Sequence, residues 1–151
     1  MIEPIASFSA LIKAISFAAE KHKYQKRKGT CPPPYINHPI EVMQLLWEVG
    51  EVREVNTLVS ALLHDTIEDT ATSQQEISKL FGNEVLYIVK EVTNVKGLSK
   101  AAIKQKQIDD APYKSLAAKQ LKLADLICNV RDVAFWILRS IEEETTFQQK
   151  K

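Results

Sequence analysis

Leu62-Leu63-His64-Asp65-Thr66-Ile67-Glu68-Asp69 is the stretch from which the rest of the chain can be read. Apolar residues Val59, Leu62, Leu63 and Ile67 recur at helical spacing, which predicts one helix with an apolar stripe facing a core. On that helix His64 lies one turn before Glu68 and Asp65 one turn before Asp69, in rows roughly 100° apart. One imidazole and three carboxylates then share a small area. The Thr70-Ala71-Thr72-Ser73 loop follows, so the acidic pair falls in the last turn, where the helix dipole disfavours anions by ~0.3–1 kcal/mol each. A solvated acidic helix end with a surface histidine is the bland alternative. A bound cation reverses the sign of the repulsion, and an oxygen-rich site with imidazole suits a hard or borderline divalent ion.

Toward the N-terminus, Pro4 is placed to open a first helix, with Ile5, Phe8, Leu11, Ile12, Ile15, Ala18 and Ala19 as its buried face. A basic run over residues 21–28 follows. Lys21, Lys23 and Lys26 read as solvated surface, whereas Arg27 and Lys28 adjoin the next feature and are candidates for phosphate. Pro32-Pro33-Pro34 holds an extended path. Pro39 suits the first position of a second helix, which places His38 at or beside the N-cap. A second metal ligand and a plain cap are both open readings of His38.

The second helix is expected from Ile40 to about Val49, and the third from near Glu51 through the His64-Asp65 site. Ser73-Gln74-Gln75-Glu76 is a capping box for a short helix closed by Gly82. Val85, Leu86, Ile88, Val89 and Val92 mark another. A loop over 94–100 and a modest helix from about Lys100 to Asp109 carry Lys100 and Lys104. Pro112 is placed to open the last long helix, which is apolar around most of its circumference and predicted to be central and buried. Asp125 is the anomaly there, because an unpaired buried carboxylate is costly. A lysine or a cap elsewhere would satisfy it; so would the cation already inferred beside His64.

With 151 residues, 45% hydrophobic and 26% charged, the chain fits one globular domain with its own core. Four glycines and 7% aromatics argue against a many-turned β protein. A net charge of +1 predicts no nucleic-acid or membrane partner. Cys31 and Cys128 sit in unlike contexts, so no disulfide framework is expected. No apolar span reaches the ~18 residues of a transmembrane helix and no signal-peptide pattern is present, so the expected address is cytoplasmic. The sequence leaves homo-oligomerisation open.

His38, His64-Asp65 and Asp125, with Glu68-Asp69 beside them, resemble the H…HD…D arrangement of the HD-domain metal-dependent phosphohydrolases. The stretches Lys26-Arg27-Lys28, Tyr35-Ile36-Asn37-His38-Pro39, Leu63 to Asp69, Glu91-Val92-Thr93 and Lys122-Leu123-Ala124-Asp125 resemble the hydrolase domain of RelA/SpoT-type stringent-response enzymes. Their likeness is greatest to the stand-alone small alarmone hydrolases, and it spans about Ala14 to Asp132. The resemblance implies an all-α, single-domain helical bundle over 1–151, with its core at about 5–139 and a C-terminal tail short for the family. It implies one Mn²⁺ per chain, held by His38, His64, Asp65 and Asp125. Glu68 and Asp69 would handle the attacking water, and Arg27, Lys28 and Asn129 would contact the nucleotide. Lys100 and Lys104 would offset polyphosphate charge. The reaction implied is removal of pyrophosphate from the 3′ position of (p)ppGpp, leaving GDP or GTP. Phosphatase action on another nucleotide, such as the 2′-phosphate of NADPH or a nucleoside monophosphate, is the alternative within the same chemistry. A catalytically silent nucleotide-binding HD domain is the alternative outside it. Two departures from the family bear on nucleotide contacts: Leu126, where a basic residue is usual, and Cys128, where an aromatic residue or histidine is. No synthetase domain is recognised.

Overall fold

The computed structural model describes residues 4–29 and 31–148, with side chains over 6–29 and 31–138. It is all-α. In chain order the helices are α1 (Pro4–Lys21), α2 (Asn37–Glu48), α3 (Val55–Leu63), α4 (Thr66–Asp69), α5 (Gln74–Phe81), α6 (Asn83–Val92), α7 (Lys100–Asp110) and α8 (Leu116–Gln148), with a 3₁₀ turn at Ala111–Tyr113. An isolated antiparallel bridge joins Lys26 to Pro34 across the proline loop.

The central helix is α3. Every residue from Thr57 to Leu63 is buried. One side of α3, through Leu58 and Ala61, packs into a cluster with Val42, Leu46, Ile88, Val92, Leu121 and Cys128. The other side, through Val59, Leu62 and Leu63, packs with Ala14, Ala18, Ile77, Val85 and Val89. Each fully buried Leu contributes ~1.5–3 kcal/mol, so the helix that leads directly into His64 is firmly fixed in the fold.

The structure corrects three expectations. First, α3 starts at Val55, not near Glu51, because the Glu54 carboxylate caps it, accepting from the Asn56 and Thr57 amides at 3.0 and 2.6 Å. Second, the 62–69 stretch is not one helix. The His64 imidazole bonds the Ala61 carbonyl at 2.8 Å and the Thr66 hydroxyl donates to the Leu63 carbonyl at 2.7 Å. These side chains meet carbonyls that a continuing helix would have paired with amides, and the single turn of α4 sets off after Asp65. His64 and Glu68 are therefore not stacked on one helical face. Third, α8 is not central. Ala118, Leu121, Ala124, Asp125 and Cys128 are buried against α2, α3 and α6, while Leu123, Leu126, Val130, Val133 and Ile137 on the opposite side are exposed. The long apolar circumference has neighbouring helices on one side alone among the described residues.

Smaller corrections follow the same logic. On α1, Phe8 and Ile12 are exposed whereas Ala14 and Ala18 are fully buried, because small side chains let α1 lie close to α3; the side chain of Ile5 lies outside the described residues. Pro112 belongs to the 3₁₀ turn, and α8 begins after it at Leu116. The capping box is present, with the Ser73 hydroxyl accepting from the Glu76 amide at 3.1 Å. Cys31 and Cys128 are both free. Among the described residues no helix is long and apolar enough to cross a membrane.

Candidate metal centre

Three elements bring the four polar side chains to one point. His38 lies in the first turn of α2, two residues past the N-cap Ile36, so it does not cap the helix and its ring is free to point inward. His64 and Asp65 form the turn between α3 and α4, and Asp125 projects from the buried side of α8. His38 Nε2 is 3.1 Å from Asp125 Oδ1, and His64 Nε2 is 3.8 Å from the same oxygen. Asp65 Oδ2 lies 2.9 Å from His64 Nε2 and 4.0 Å from His38 Nε2. His38, His64 and Asp65 each present a ligand atom within 4.8 Å of the others.

The tautomer of His64 is dictated by its partner. A carbonyl only accepts, so Nδ1 carries a proton toward Ala61, and Nε2 faces the carboxylates. That Nε2 is buried with no aligned hydrogen bond. An imidazole nitrogen of this kind, orphaned between two carboxylates, fits a cation better than any protein donor present. The donor set of two imidazoles and two carboxylates suits a borderline divalent ion.

The electrostatics agree. Burial depresses the His64 imidazole, yet Asp65 and Asp125 outweigh it and push it up to about 10. Burial would raise Asp65, and His64 overrides it to hold the carboxyl at about 2. Asp125, raised by burial, is held well below the carboxylate range by His38, His64 and Lys122. In the metal-free protein a proton on His64 does the work of a cation. His64 has a folded value above its ordinary 6.5, so its contribution to stability is complete below about 6.5 and is lost as pH rises toward about 10. Asp65 has a folded value below its ordinary 3.8, so its contribution is present above about 3.8 and is lost as pH falls toward about 2. Thermal melts in chelator should therefore give a Tm plateau between about pH 4 and 6.5 with decline on both sides. Saturating divalent metal should flatten the alkaline side, because the ion replaces the proton. A metal-free Tm that climbs from pH 7 to 10 would contradict this arrangement.

Around the four side chains stands a polar shell. Tyr35 donates from its hydroxyl to Asp65 Oδ2 at 2.6 Å and lies 3.3 Å from Asp69 Oδ2. Burial and these carboxylates raise the phenol, which keeps it a donor. The same ring stacks on the buried His22 at 4.7 Å between centroids. Partial desolvation and the charges of Asp65 and Glu68 raise Asp69. Lys122 Nζ donates to Asp125 Oδ2 at 2.9 Å, and Asn129 Nδ2 donates to Asp125 Oδ1 at 2.6 Å. Arg27 reaches Asn129 Oδ1 at 2.7 Å and grips Asp132 Oδ2 at 2.5 and 3.0 Å. Gly29, whose φ is +139°, lets this loop lie against α8, since a Cβ there would collide with the Trp136 ring.

Residues 14–148 match the HD-domain family model. The chain belongs to the HD-domain family. It is 48% identical over 130 residues to guanosine-3′,5′-bis(diphosphate) 3′-pyrophosphohydrolase MESH1 of Xenopus tropicalis, an alignment covering 85% of this chain and 73% of that protein. Against the Homo sapiens protein of the same name the figures are 45% over 123 residues, 82% of this chain and 69% of the other. A solved structure described as a metazoan ortholog of SpoT that hydrolyzes ppGpp superposes with a TM-score of 0.81 at 39% identity, covering 84% of this chain and 71% of that one. The expected family, helical fold class and HD signature are therefore those of this chain.

Not every expected residue sits at the centre of this HD domain. Glu68 and Asp69 lie on α4 beside the cluster, and Arg27 and Asn129 join it through Asp125. Lys28, Lys100 and Lys104 are exposed, the last two on α7. A cavity of about 230 Å³ between α6, α7 and α8 is lined instead by Lys106, Lys114, Lys119 and Lys122. Sequence reasoning assigned no role to Tyr35, Lys122 or Asn94. Tyr35 and Lys122 stand inside the stretches that resemble the RelA/SpoT-type hydrolase domain, so the signal for them is present in the sequence.

Proposed function

We propose that this HD domain is a (p)ppGpp 3′-pyrophosphohydrolase, releasing GDP or GTP and pyrophosphate, with one Mn²⁺ held by His38, His64, Asp65 and Asp125. The observation that carries it is the convergence of two imidazoles and two carboxylates from α2, the α3–α4 turn and α8, with an acidic pair alongside, in a chain similar to proteins named for that reaction. The ion, when bound, supplies the Lewis acidity that polarises a phosphoryl oxygen and acidifies water.

The chain's own residues do the rest. Tyr35 and Lys122 fix the ligand carboxylates from outside, so Asp65 and Asp125 keep their aim. Glu68 and Asp69 accept the proton of the attacking water and orient it in line. No serine or cysteine stands among these contacts, so water attacks directly. Arg27, anchored on Asp132 and Asn129, offers its remaining guanidinium donors to the nucleotide's phosphates, with Lys28 beside it. The protein is expected to act in the cytoplasm on a small phosphorylated nucleotide.

Purified protein given Mn²⁺ and ppGpp should release GDP and pyrophosphate, read by phosphorus NMR. Orthophosphate from NADPH or a nucleoside monophosphate, with ppGpp untouched, would replace this reading with the phosphatase one. Arg27→Ala should raise KM for the nucleotide about tenfold while metal content stays unchanged. An unaltered KM would remove Arg27 from the substrate site.

A further inference from the structure

We infer that Asn94, itself held by Gln107, is the positioning residue that fixes the orientation of Glu68. This rests on the reading of Glu68 as the group that activates water. Glu68 stands on a helix of only four residues, and its side chain has three rotatable bonds with which to wander. Two donors from one residue immobilise it. The Asn94 backbone amide donates to Oε2 at 2.9 Å and the Asn94 Nδ2 donates to Oε1 at 3.0 Å. One bond per oxygen sets the plane of the carboxylate and leaves each oxygen a further acceptor direction for water.

The orientation of the Asn94 amide is fixed in turn. Gln107 Nε2 donates to Asn94 Oδ1 at 2.7 Å. A flipped Asn94 would set oxygen against the Glu68 carboxylate and nitrogen against a donor, so one orientation satisfies both neighbours. The relay runs from α7 through the loop after α6 to α4. It is also a notable inward tie of α7, which has no buried residue of its own. Misplacing a reacting group by about 1 Å can cost up to about a hundredfold in rate, so a carboxylate on a single turn needs such a brace.

The test uses the full chain loaded with Mn²⁺ and given ppGpp. Asn94→Ala should lower kcat about tenfold, with KM and Mn²⁺ affinity within about twofold of wild type. Asn94→Asp, which sets a carboxylate against Glu68, should lose more. Gln107→Leu should cost less than Asn94→Ala, and the double variant should be no worse than Asn94→Ala alone, since Gln107 acts through Asn94. A wild-type kcat for Asn94→Ala, or losses that simply multiply in the double variant, would overturn the relay. A second readout needs no turnover: the Asn94 side-chain amide protons should be shifted downfield and slow to exchange in NMR, and should lose both features in Glu68→Gln. If wild type leaves ppGpp intact the proposed substrate fails, and the amide spectrum still decides the relay. Asn94 signals indifferent to Glu68→Gln would refute it.

Discussion

Asp65→Ala is expected to abolish both metal retention and turnover while leaving the fold intact. Asp65 Oδ2 stands between the two imidazoles, 2.9 Å from His64 Nε2 and 4.0 Å from His38 Nε2, and takes the Tyr35 hydroxyl at 2.6 Å. Its removal deletes one ligand and one full charge from the donor set. Loss of an outer partner alone typically costs 10–100-fold in metal affinity, so loss of this ligand should exceed about a hundredfold. The apolar packing that defines α3 lies at Thr57–Leu63 and is untouched. His64, deprived of the carboxylate that chiefly raises it, should titrate closer to its ordinary 6.5, which NMR can follow. Metal analysis after gel filtration, with circular dichroism as the fold control, checks the expectation. Full Mn²⁺ content in Asp65→Ala would exclude Asp65 from the ligand set.

Glu68→Gln should separate binding from chemistry. The exchange keeps the shape of the side chain and removes its capacity to take a proton. General-base contributions run at about 10²–10⁴-fold, so kcat should fall by at least about a hundredfold. The His38, His64, Asp65 and Asp125 cluster does not include Glu68, so Mn²⁺ stoichiometry should match wild type and KM should change little. Turnover equal to wild type would discard the assigned role of Glu68 and leave Asp69 as the remaining candidate on α4.

Much of the site was legible because its chemistry is local in sequence or anomalous in place. The adjacent His64 and Asp65 after an apolar run, His38 before a proline suited to a helix's first turn and a carboxylate at Asp125 among apolar neighbours all stand out by residue type. The geometry that joins them was less legible. A 3.6-residue period continues smoothly across 62–69, and it cannot show that His64 and Thr66 bond backbone carbonyls and end α3 there. Burial of α8 was overestimated for a related reason: an apolar circumference states what a helix could bury, whereas neighbouring helices decide what it does. Asn94 was invisible. An asparagine in a loop reads as a turn residue, and its bonds to Glu68 and Gln107 bridge 26 and 13 positions. Lys100 and Lys104 were singled out by charge, while the lysines lining the cavity belong to α7, α8 and the segment between them.

The most direct measurement is a Mn²⁺ titration of chelator-stripped protein by electron paramagnetic resonance, with Asp125→Ala in parallel. One saturable ion per chain in wild type, absent from Asp125→Ala, is the predicted result. Undiminished binding in Asp125→Ala, or no saturable binding in wild type, would contradict a centre built from α2, the α3–α4 turn and α8.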